Sequence, residues 1–410
     1  MKTSMMNWLL ASLLSAMVTS SFAGDWPQRL GIGNDGISTE TNWIHHRPKE
    51  GPRVVWKTAV GTGFSSITVA DGRACTMGNS GNVETVYCFN AKDGSTAWKF
   101  SYDEPLAPTM YEGGPNSTPT IDPRAVTVVS RSGKLFRLDA ATGKQLWRVD
   151  LRGYVGSENG KWGVGGSPLY MDNRLFVNYG AAVVALDPAS GKPIWESAKE
   201  AKADTSFNTP VSWRMGGMRM IFVLMKEALF ALSPDDGRVL WRHAYGSGFK
   251  THCSDALVTP AGLFISSGDD GGELLAVDAT RAERLWKNKN LSTFTGSPVL
   301  VGGHLFGVNA AGYKKRQQEL RCIELTKGDV KWALPGFGQD SLIAAGGRLI
   351  VLKENGELLV ASASPERAEV LGRAQVLGGK CWTQPALSDG LLYCRNAKGD
   401  LVCLDLRPTH

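Results

Sequence analysis

The sequence of 410 residues lacks any apolar run long enough to cross a membrane, because such a run needs about 18 residues or more and residues 8–18 fall short. Its basic residues are scattered, which argues against a nucleic-acid partner. None of its seven cysteines is spaced C-x-x-C, so a zinc or thiol-redox motif has no support. No hydrolase elbow, phosphate-binding loop or metalloprotease motif occurs. Function must therefore be sought in the architecture.

The first residues have the features of a secretory signal. Lys2 precedes the apolar residues 8–18, and Ser21-Phe-Ala23 supplies small residues before a predicted cut after Ala23. No cysteine follows the run to accept a lipid. We expect residues 1–23 to be a signal peptide and residues 24–50 an N-terminal extension. The protein should be periplasmic or secreted, with no transmembrane segment, in a compartment where disulfides persist.

Seven tryptophans recur at spacings of 42 to 49 residues: Trp56, Trp98, Trp147, Trp195, Trp241, Trp286 and Trp332. A turn pattern such as Asp139-Ala-Ala-Thr-Gly143 precedes most of them. Its first side chain can bond the backbone two residues on, and its glycine tolerates positive φ, so the pattern favours a hairpin. With two further short strands upstream, each unit of about 45 residues predicts one propeller blade.

The blade count predicts a closed ring. Six units are complete, a seventh has Leu371-Gly372 near the expected tryptophan, and the eighth is split. Residues 54–57 supply the tryptophan strand that the C-terminal residues 389–406 lack, and should pair with residues 401–405. An open solenoid would leave both terminal edges bare. We therefore predict an all-β, eight-bladed β-propeller of four-stranded antiparallel blades over residues 51–410, closed by its terminal strands and monomeric.

The repeat Asp139-Ala-Ala-Thr-Gly-Lys-Gln-Leu-Trp147 resembles that of quinoprotein alcohol dehydrogenases and of the BamB assembly propellers, over about residues 51–410. The opening Asp25-Trp-Pro-Gln28 is similar to that of many exported members. The enzyme branch implies pyrroloquinoline quinone (PQQ), calcium, an Asp base and a disulfide between adjacent cysteines, but this sequence has no adjacent cysteines. The assembly propellers are lipoproteins, and this chain has no lipid-acceptor cysteine.

The leading hypothesis is a non-catalytic exported binding or scaffold propeller of the cell envelope, with an envelope protein or a small ligand as partner. The alternatives are a PQQ-dependent oxidoreductase, which would use PQQ and calcium, and a carbohydrate-binding propeller.

Candidate binding residues lie in the connections between blades, which are long on one face and should surround the channel mouth. Small polar residues there should line the channel. Aromatic residues there can stack on a flat ligand, although packing between blades is their commoner use. Acids there can bind a cation or act as acid and base, although solvated charges and turn caps are commoner. No metal site is assigned. The candidates are Trp162, Trp382, Phe207, Phe294, Glu112, Glu158, Asp255, Asp340 and His252.

Two cysteine pairs are disulfide candidates. Hairpin tips at Gly81-Asn82 and Lys398-Gly399 place Cys75 opposite Cys88 and Cys394 opposite Cys403, at positions where the Cα atoms lie ~4.5 Å apart. Reduced neighbouring thiols are the alternative, since a cross-strand bridge is strained.

Overall fold

The chain folds almost entirely into β-strands. The computed structural model describes residues 24–44, 51–155, 162–198, 207–215, 217–246, 252–310 and 318–408. One short helix, α1 (Arg152–Val155), occurs in these ranges. None of the helices described is long and apolar enough to span a membrane.

Two strands precede the first complete blade: β1 (Ile37–Ser38) and β2 (Arg53–Ala59). Blades 1 to 4 contain β3 (Thr68–Ala70), β4 (Arg73–Ser80), β5 (Val83–Asn90), β6 (Thr96–Asp103); β7 (Thr120–Ile121), β8 (Ala125–Val129), β9 (Lys134–Asp139), β10 (Gln145–Asp150); β11 (Leu169–Met171), β12 (Arg174–Asn178), β13 (Val183–Leu186), β14 (Pro193–Glu196); and β15 (Val211–Met215), β16 (Met218–Leu224), β17 (Ala228–Leu232), β18 (Val239–Ala244).

Blades 5 to 8 contain β19 (Leu257–Thr259), β20 (Gly262–Ser267), β21 (Gly271–Val277), β22 (Ala282–Asn288); β23 (Val299–Val301), β24 (His304–Asn309), β25 (Gln318–Glu324), β26 (Val330–Phe337); β27 (Ser341–Ala345), β28 (Arg348–Leu352), β29 (Glu357–Ser362), β30 (Val370–Gln375); and β31 (Ala386–Ser388), β32 (Leu391–Arg395), β33 (Asp400–Asp405), to which β2 is added. The predicted eight-bladed β-propeller is thereby confirmed.

The eighth blade closes the ring as predicted. Strand β2 pairs antiparallel with β33, with Val54 opposite Leu404 and Trp56 opposite Cys403. In blade 7, Gly372 lies opposite Val360, at the register position that tryptophan holds in the other blades. The two chain ends therefore share one sheet, in which β33 is paired on both sides, with β32 and with β2.

The seven repeated tryptophans join neighbouring blades. Each indole N–H donates to a backbone carbonyl in the strand-three to strand-four turn of the next blade, as Trp56 does to Ala91 at 3.0 Å and Trp98 to Ala140 at 3.0 Å. In five of the seven turns a glycine lies against that ring. A Cβ on Gly94, whose φ is +72°, would come within 2.6 Å of the Trp56 ring. The sequence repeat is thus an inter-blade contact as well as a hairpin signal.

Antiparallel strand order gives the ring two different faces. The loop face carries the connections from each outermost strand to the next innermost strand, such as residues 60–67, 104–119 and 376–385, together with turns such as residues 353–356. The turn face carries the remaining turns, such as residues 71–72, 91–95 and 389–390. The longest connections lie on the loop face.

Residues 24–44 cross the ring on the turn-face side and fill its centre. Trp26 exchanges backbone hydrogen bonds with Val69 of β3, and Pro27 accepts one from Ile121 of β7 at 2.8 Å. Strand β1 adds in parallel to β27. Residues 24–44 therefore contact the innermost strands of blades 1, 2 and 7.

Candidate functional site

A belt of buried polar side chains ties the blades together where the connections of the loop face enter the innermost strands. In each link the backbone N–H of one residue donates to the side-chain oxygen of the equivalent residue in the next blade. The links run from Gln384 to Ser66 (3.0 Å), Ser66 to Thr118 (3.1 Å), Thr118 to Ser167 (2.9 Å), Ser167 to Thr209 (3.1 Å), Thr209 to Asp255 (2.7 Å) and Asp255 to Ser297 (3.1 Å). These small polar groups therefore bond to neighbouring blades.

Asp255 is the charged member of this belt. Its carboxylate is fully buried and lies 3.1 Å from the Arg29 guanidinium, which reaches it from the chain segment that fills the ring. Burial is the main cause that raises the pKa of Asp255, and Arg29 opposes it. Asp255 thus anchors residues 24–44 to blade 5 through its ion pair with Arg29.

His252 and Phe207 lie beside Asp255 in the same sector. His252 is fully buried; its Nε2 lies 3.2 Å from the Lys226 carbonyl, and burial lowers its pKa. The backbone N–H of Phe207 donates to the His252 carbonyl at 2.9 Å. A neutral buried imidazole held by backbone is poorly placed to meet a ligand.

Four half-buried rings form an aromatic arc on the loop face: Trp382, Phe64, Tyr111 and Trp162. Their centroids lie 5.6 Å, 5.4 Å and 5.5 Å apart in that order. Each ring comes from a different connection, so the arc spans four successive ones. Half-exposed tryptophan and tyrosine are the side chains that protein interfaces favour.

A charged pocket of about 460 Å³ opens at the Trp382 end of the arc, lined by Asp340, Lys353, Glu354, Asn355, Lys380 and three glycines. The Trp382 indole N–H donates to Glu354 at 2.8 Å, and the Lys380 ammonium lies 4.4 Å from the Trp382 ring centroid. Lys380 also bonds Glu112 at 2.9 Å. The pocket and the arc therefore form one continuous surface.

The acids of this pocket already have donors. Asp340 accepts the backbone N–H groups of Gly338 at 3.0 Å and Glu354 at 2.5 Å. Burial raises the pKa of Asp340 to about 6. Glu354 accepts the backbone N–H of Gln339 at 3.3 Å besides the indole. These carboxylates shape the loops, and the rim between them presents groups of both charges.

The structure brings together some of the predicted site residues and separates others. Trp382, Glu112 and Asp340 share the charged pocket and its border, and the aromatic arc adds Trp162. Asp255, His252 and Phe207 lie in the blade 4–5 sector, and Phe294 lies apart, near Gly268. Glu158 is outside the described residues. Whether any of these residues binds a ligand stays a prediction.

Sequence reasoning missed Lys353, Glu354 and Lys380 as pocket residues. Lys353 and Glu354 lie in a short turn within a blade, outside the connections between blades in which the candidate residues lie. The signal that could have found them is the Glu354-Asn-Gly356 turn, which predicts a tip on the same face.

One of the two predicted cysteine registers is correct and one is wrong. Cys75 lies opposite Cys88, and their Sγ atoms are 2.8 Å apart. Cys394 lies opposite Val402, and Cys403 opposite Tyr393. The hairpin ends in a longer turn in which Gly399 has φ of +96° and Asn396 bonds the Asp400 carbonyl, which shifts the register by one residue. A shift of one places the two cysteines on opposite faces of the sheet.

We predict that the exported protein contains one disulfide, between Cys75 and Cys88, and that Cys394 and Cys403 stay reduced. Side chains directly opposite on one face meet the distance requirement of a bridge, whereas those on opposite faces do not. Peptide mapping without reduction checks this. A linked Cys394–Cys403 peptide, or free thiols at Cys75 and Cys88, would contradict it.

Comparison with known proteins relates the fold to two groups. Residues 82–334 match the family model described as outer membrane protein assembly factor BamB. The BamB of Burkholderia pseudomallei is 24% identical over 244 residues, which cover 54% of this chain and 58% of that protein. This chain thus spans less than two-thirds of the length of that relative.

Solved structures share the fold at lower identity. BamB from Moraxella catarrhalis superposes with a TM-score of 0.62 at 18% identity, covering 87% of this chain and 99% of that one. Quinohemoprotein alcohol dehydrogenase from Comamonas testosteroni superposes with a TM-score of 0.70 at 13% identity, covering 94% and 82%. At these identities the likeness concerns the fold alone.

Proposed function

This chain belongs to the family described as outer membrane protein assembly factor BamB, and from that premise we propose that it is a non-catalytic, exported propeller that binds an envelope protein on its loop face. The partner lies across the aromatic arc and the charged pocket. The observation that carries the proposal is the continuity of these two features on the loop face, opposite the face from which residues 24–44 enter the ring.

The chemistry of this surface suits a polypeptide. Half-exposed rings supply apolar area at small entropic cost, and the pocket rim offers both ammonium and carboxylate groups to side chains of either charge. Lys380 and Glu112 already pair, as do Lys353 and Glu357 at 2.7 Å. A small ion would have to break these bonds, whereas a protein segment can add hydrogen bonds at the rim.

The residues present do not fit PQQ with calcium. Both Asp340 oxygens accept backbone N–H groups, Glu112 is paired with Lys380, and Asp255 with Arg29. Within the described ranges no group of three His, Cys, Asp or Glu side chains is placed to hold a metal ion. The adjacent cysteine pair of the enzyme branch is absent from the sequence.

Site-specific photo-cross-linking tests the proposed face. A photoreactive residue at Asn355, exposed beside the pocket, should give one discrete product with an envelope protein, and Trp382→Ala should abolish it. The matched control is Lys327, which is also exposed but lies on the turn face, and it should give no such product. Equal cross-linking from both positions, or none from Asn355 in a folded protein, would overturn the proposal.

We also predict no dye-linked oxidation of alcohols or sugars after incubation with PQQ and calcium, since the acids that would hold the ion are already bonded. Dye reduction that requires added PQQ and is lost in Asp340→Asn would favour the oxidoreductase instead. Binding of a saccharide that quenches the fluorescence of Trp162 or Trp382 would favour the carbohydrate-binding alternative.

A further inference from the structure

Two equivalent turns on the turn face present acids toward the start of the described chain. Asp389-Gly390 of blade 8 and Asp71-Gly72 of blade 1 are both tight turns, with φ of 53° and 69° in the first pair and 49° and 69° in the second. Asp25 lies between them, since the charges of Asp71 and Asp389 both act on its carboxyl group and the Asp71 backbone N–H donates to it. Burial and then the charge of Asp71 raise the pKa of Asp25.

Glu40 completes this group from the other end of the segment that fills the ring. Its Oε2 accepts the Gly390 backbone N–H at 2.7 Å. Its Oε1 is buried and has no hydrogen-bond partner among the described residues. We name Asp25, Glu40, Asp71 and Asp389 the acidic cradle.

Gly24 is buried within the cradle. A Cβ on Gly24 would lie 2.8 Å from Asp389 Oδ1 and 2.9 Å from Glu40 Oε1. The nitrogen of a residue is about 2.5 Å from its own Cβ, so both oxygens lie within roughly 5.4 Å of the Gly24 nitrogen. The unpartnered oxygen of Glu40 is thus among the atoms nearest to the first residue after the predicted cut.

The cradle lacks a matching cation. Across the described part of the chain, none of its four carboxylates forms an ion pair with Lys, Arg or His. Lys92 and Arg407 line a small pocket of about 40 Å³ with Asp389, but Arg407 is bonded to Asp405 at 2.9 Å. Asp25 and Glu40 are half-buried, whereas Asp71 and Asp389 are exposed. Burial raises the pKa of both half-buried acids, and a positive group placed beside them would offset that desolvation cost.

We propose that the α-ammonium group created at Gly24 by signal-peptide cleavage binds in the acidic cradle, next to Glu40 and Asp389. This inference rests on the export that is part of the proposed function. Before cleavage the Gly24 nitrogen is a neutral amide; after cleavage it carries a charge and three donors. Processing therefore anchors the start of residues 24–44 between the split blade 8 and blade 1.

The test compares two N-termini in two backgrounds. Intact mass of the exported protein should show a chain that begins at Gly24. That form and one retaining Ala23, which moves the amine by about 3.8 Å, are then melted as wild type and as the Glu40→Gln/Asp389→Asn variant. Asparagine tolerates the positive φ at position 389, so the turn is kept.

In the wild type we expect the form retaining Ala23 to melt at least about 2 °C lower, and in the double variant we expect no difference. The exposed control Glu283→Gln should keep the difference. The Gly24 amine should also react with an acylating reagent at pH 7 about tenfold more slowly in the wild type than in the double variant, as one unit of raised pKa implies.

Equal melting of both N-termini in the wild type, a difference that persists in the double variant, or an exported chain that begins elsewhere would overturn the inference. The cross-linking at Asn355 reports on partner binding independently. Its retention in the double variant would show that the proposed function survives failure of this inference.

Discussion

Replacement of Arg395 by methionine is expected to lower the free energy of unfolding by about 3–5 kcal/mol, because it leaves several buried backbone carbonyls without donors, each at a cost of about 1–3 kcal/mol. Arg395, on β32 of the split blade, is fully buried. Its guanidinium donates to the carbonyls of Met77 (2.5 Å), Ser65 (3.0 Å), Gly61 (3.1 Å) and Gly63 (3.1 Å) and to the Thr76 hydroxyl (3.0 Å). Methionine fills part of the space but leaves these acceptors without donors.

Arg395 lies next to the place where the two ends of the chain pair, so loss of its hydrogen bonds should destabilise the whole ring. The acceptors belong to blade 1 and to the connection that follows β2, so the Arg395 side chain bonds the C-terminal strands of blade 8 to the N-terminal part of the chain, next to the β2–β33 pairing that closes the ring. Burial lowers the pKa of Arg395 to about 10, which still leaves it charged at neutral pH. Loosening this junction should release β2 from β33 and expose the edge of the sheet.

Urea unfolding at pH 7 measures the change. Arg395→Lys keeps the charge but loses the fork of donors, so it should fall between wild type and Arg395→Met. The matched control is Arg53→Met, whose side chain is 68% exposed and bonds Asp405 on the same blade; it should change the free energy by no more than about 1 kcal/mol. An Arg395→Met protein as stable as this control would show that the carbonyl cluster contributes little.

Replacement of Glu84 by glutamine is expected to stabilise the protein at alkaline pH. Glu84 is fully buried, accepts the Tyr102 hydroxyl at Oε1 and has no partner at Oε2 among the described residues. Burial raises the pKa of Glu84 from 4.5 to about 8, with Glu104, Lys134 and Arg131 as the other charged groups that act on it. The folded protein therefore holds this acid neutral at neutral pH.

The sign of the change in stability with pH follows from proton linkage. Between pH 4.5 and about 8 the unfolded chain has released the proton that the folded chain keeps, so stability falls as the pH rises. The full contribution is at most about 4–5 kcal/mol. Glutamine resembles the neutral acid and does not titrate. Glu84→Gln should match the wild type at pH 5 and exceed it by a few kcal/mol at pH 9, of order the full linkage term.

Denaturant unfolding from pH 5 to pH 9 checks this result. Glu283→Gln, an exposed acid replaced in the same way, should leave the pH dependence of the wild type unchanged. If the free energy of unfolding of Glu84→Gln runs parallel to that of the wild type over the whole pH range, Glu84 is ionised in the native state. The inference that the folded protein holds a neutral Glu84 would then be wrong.

The local sequence of a turn predicted the strand register correctly in one hairpin and incorrectly in another. The Gly81-Asn82 tip is a two-residue turn, so counting back from it places Cys75 opposite Cys88 correctly. At Gly399 the turn holds one more residue than its sequence indicates, and the count for Cys394 fails by one. Turn length depends here on the bond between Asn396 and Asp400, which the local pattern does not reveal.

The candidate site was predictable only in part. The aromatic and acidic residues of the connections were recognisable because propeller topology sends those connections to one face. That Glu112 meets Lys380, 268 positions later, follows from closure of the ring between blades 8 and 1. The partner of Asp255 lies in a segment without any repeat, so periodicity carries no information about Arg29.

The sequence by itself determined the repeat, the number of blades and the split closure, because a period of about 45 residues and the seven tryptophans encode contacts that recur between neighbours in the ring. Only the tertiary structure decided which charges meet. The cation held by carbonyls at Arg395, the neutral acid at Glu84 and the acidic cradle around Gly24 each depend on burial and on contacts between distant segments. Such contacts fix the local dielectric environment and the hydrogen-bond partners, and neither is written in the spacing of residues along the chain.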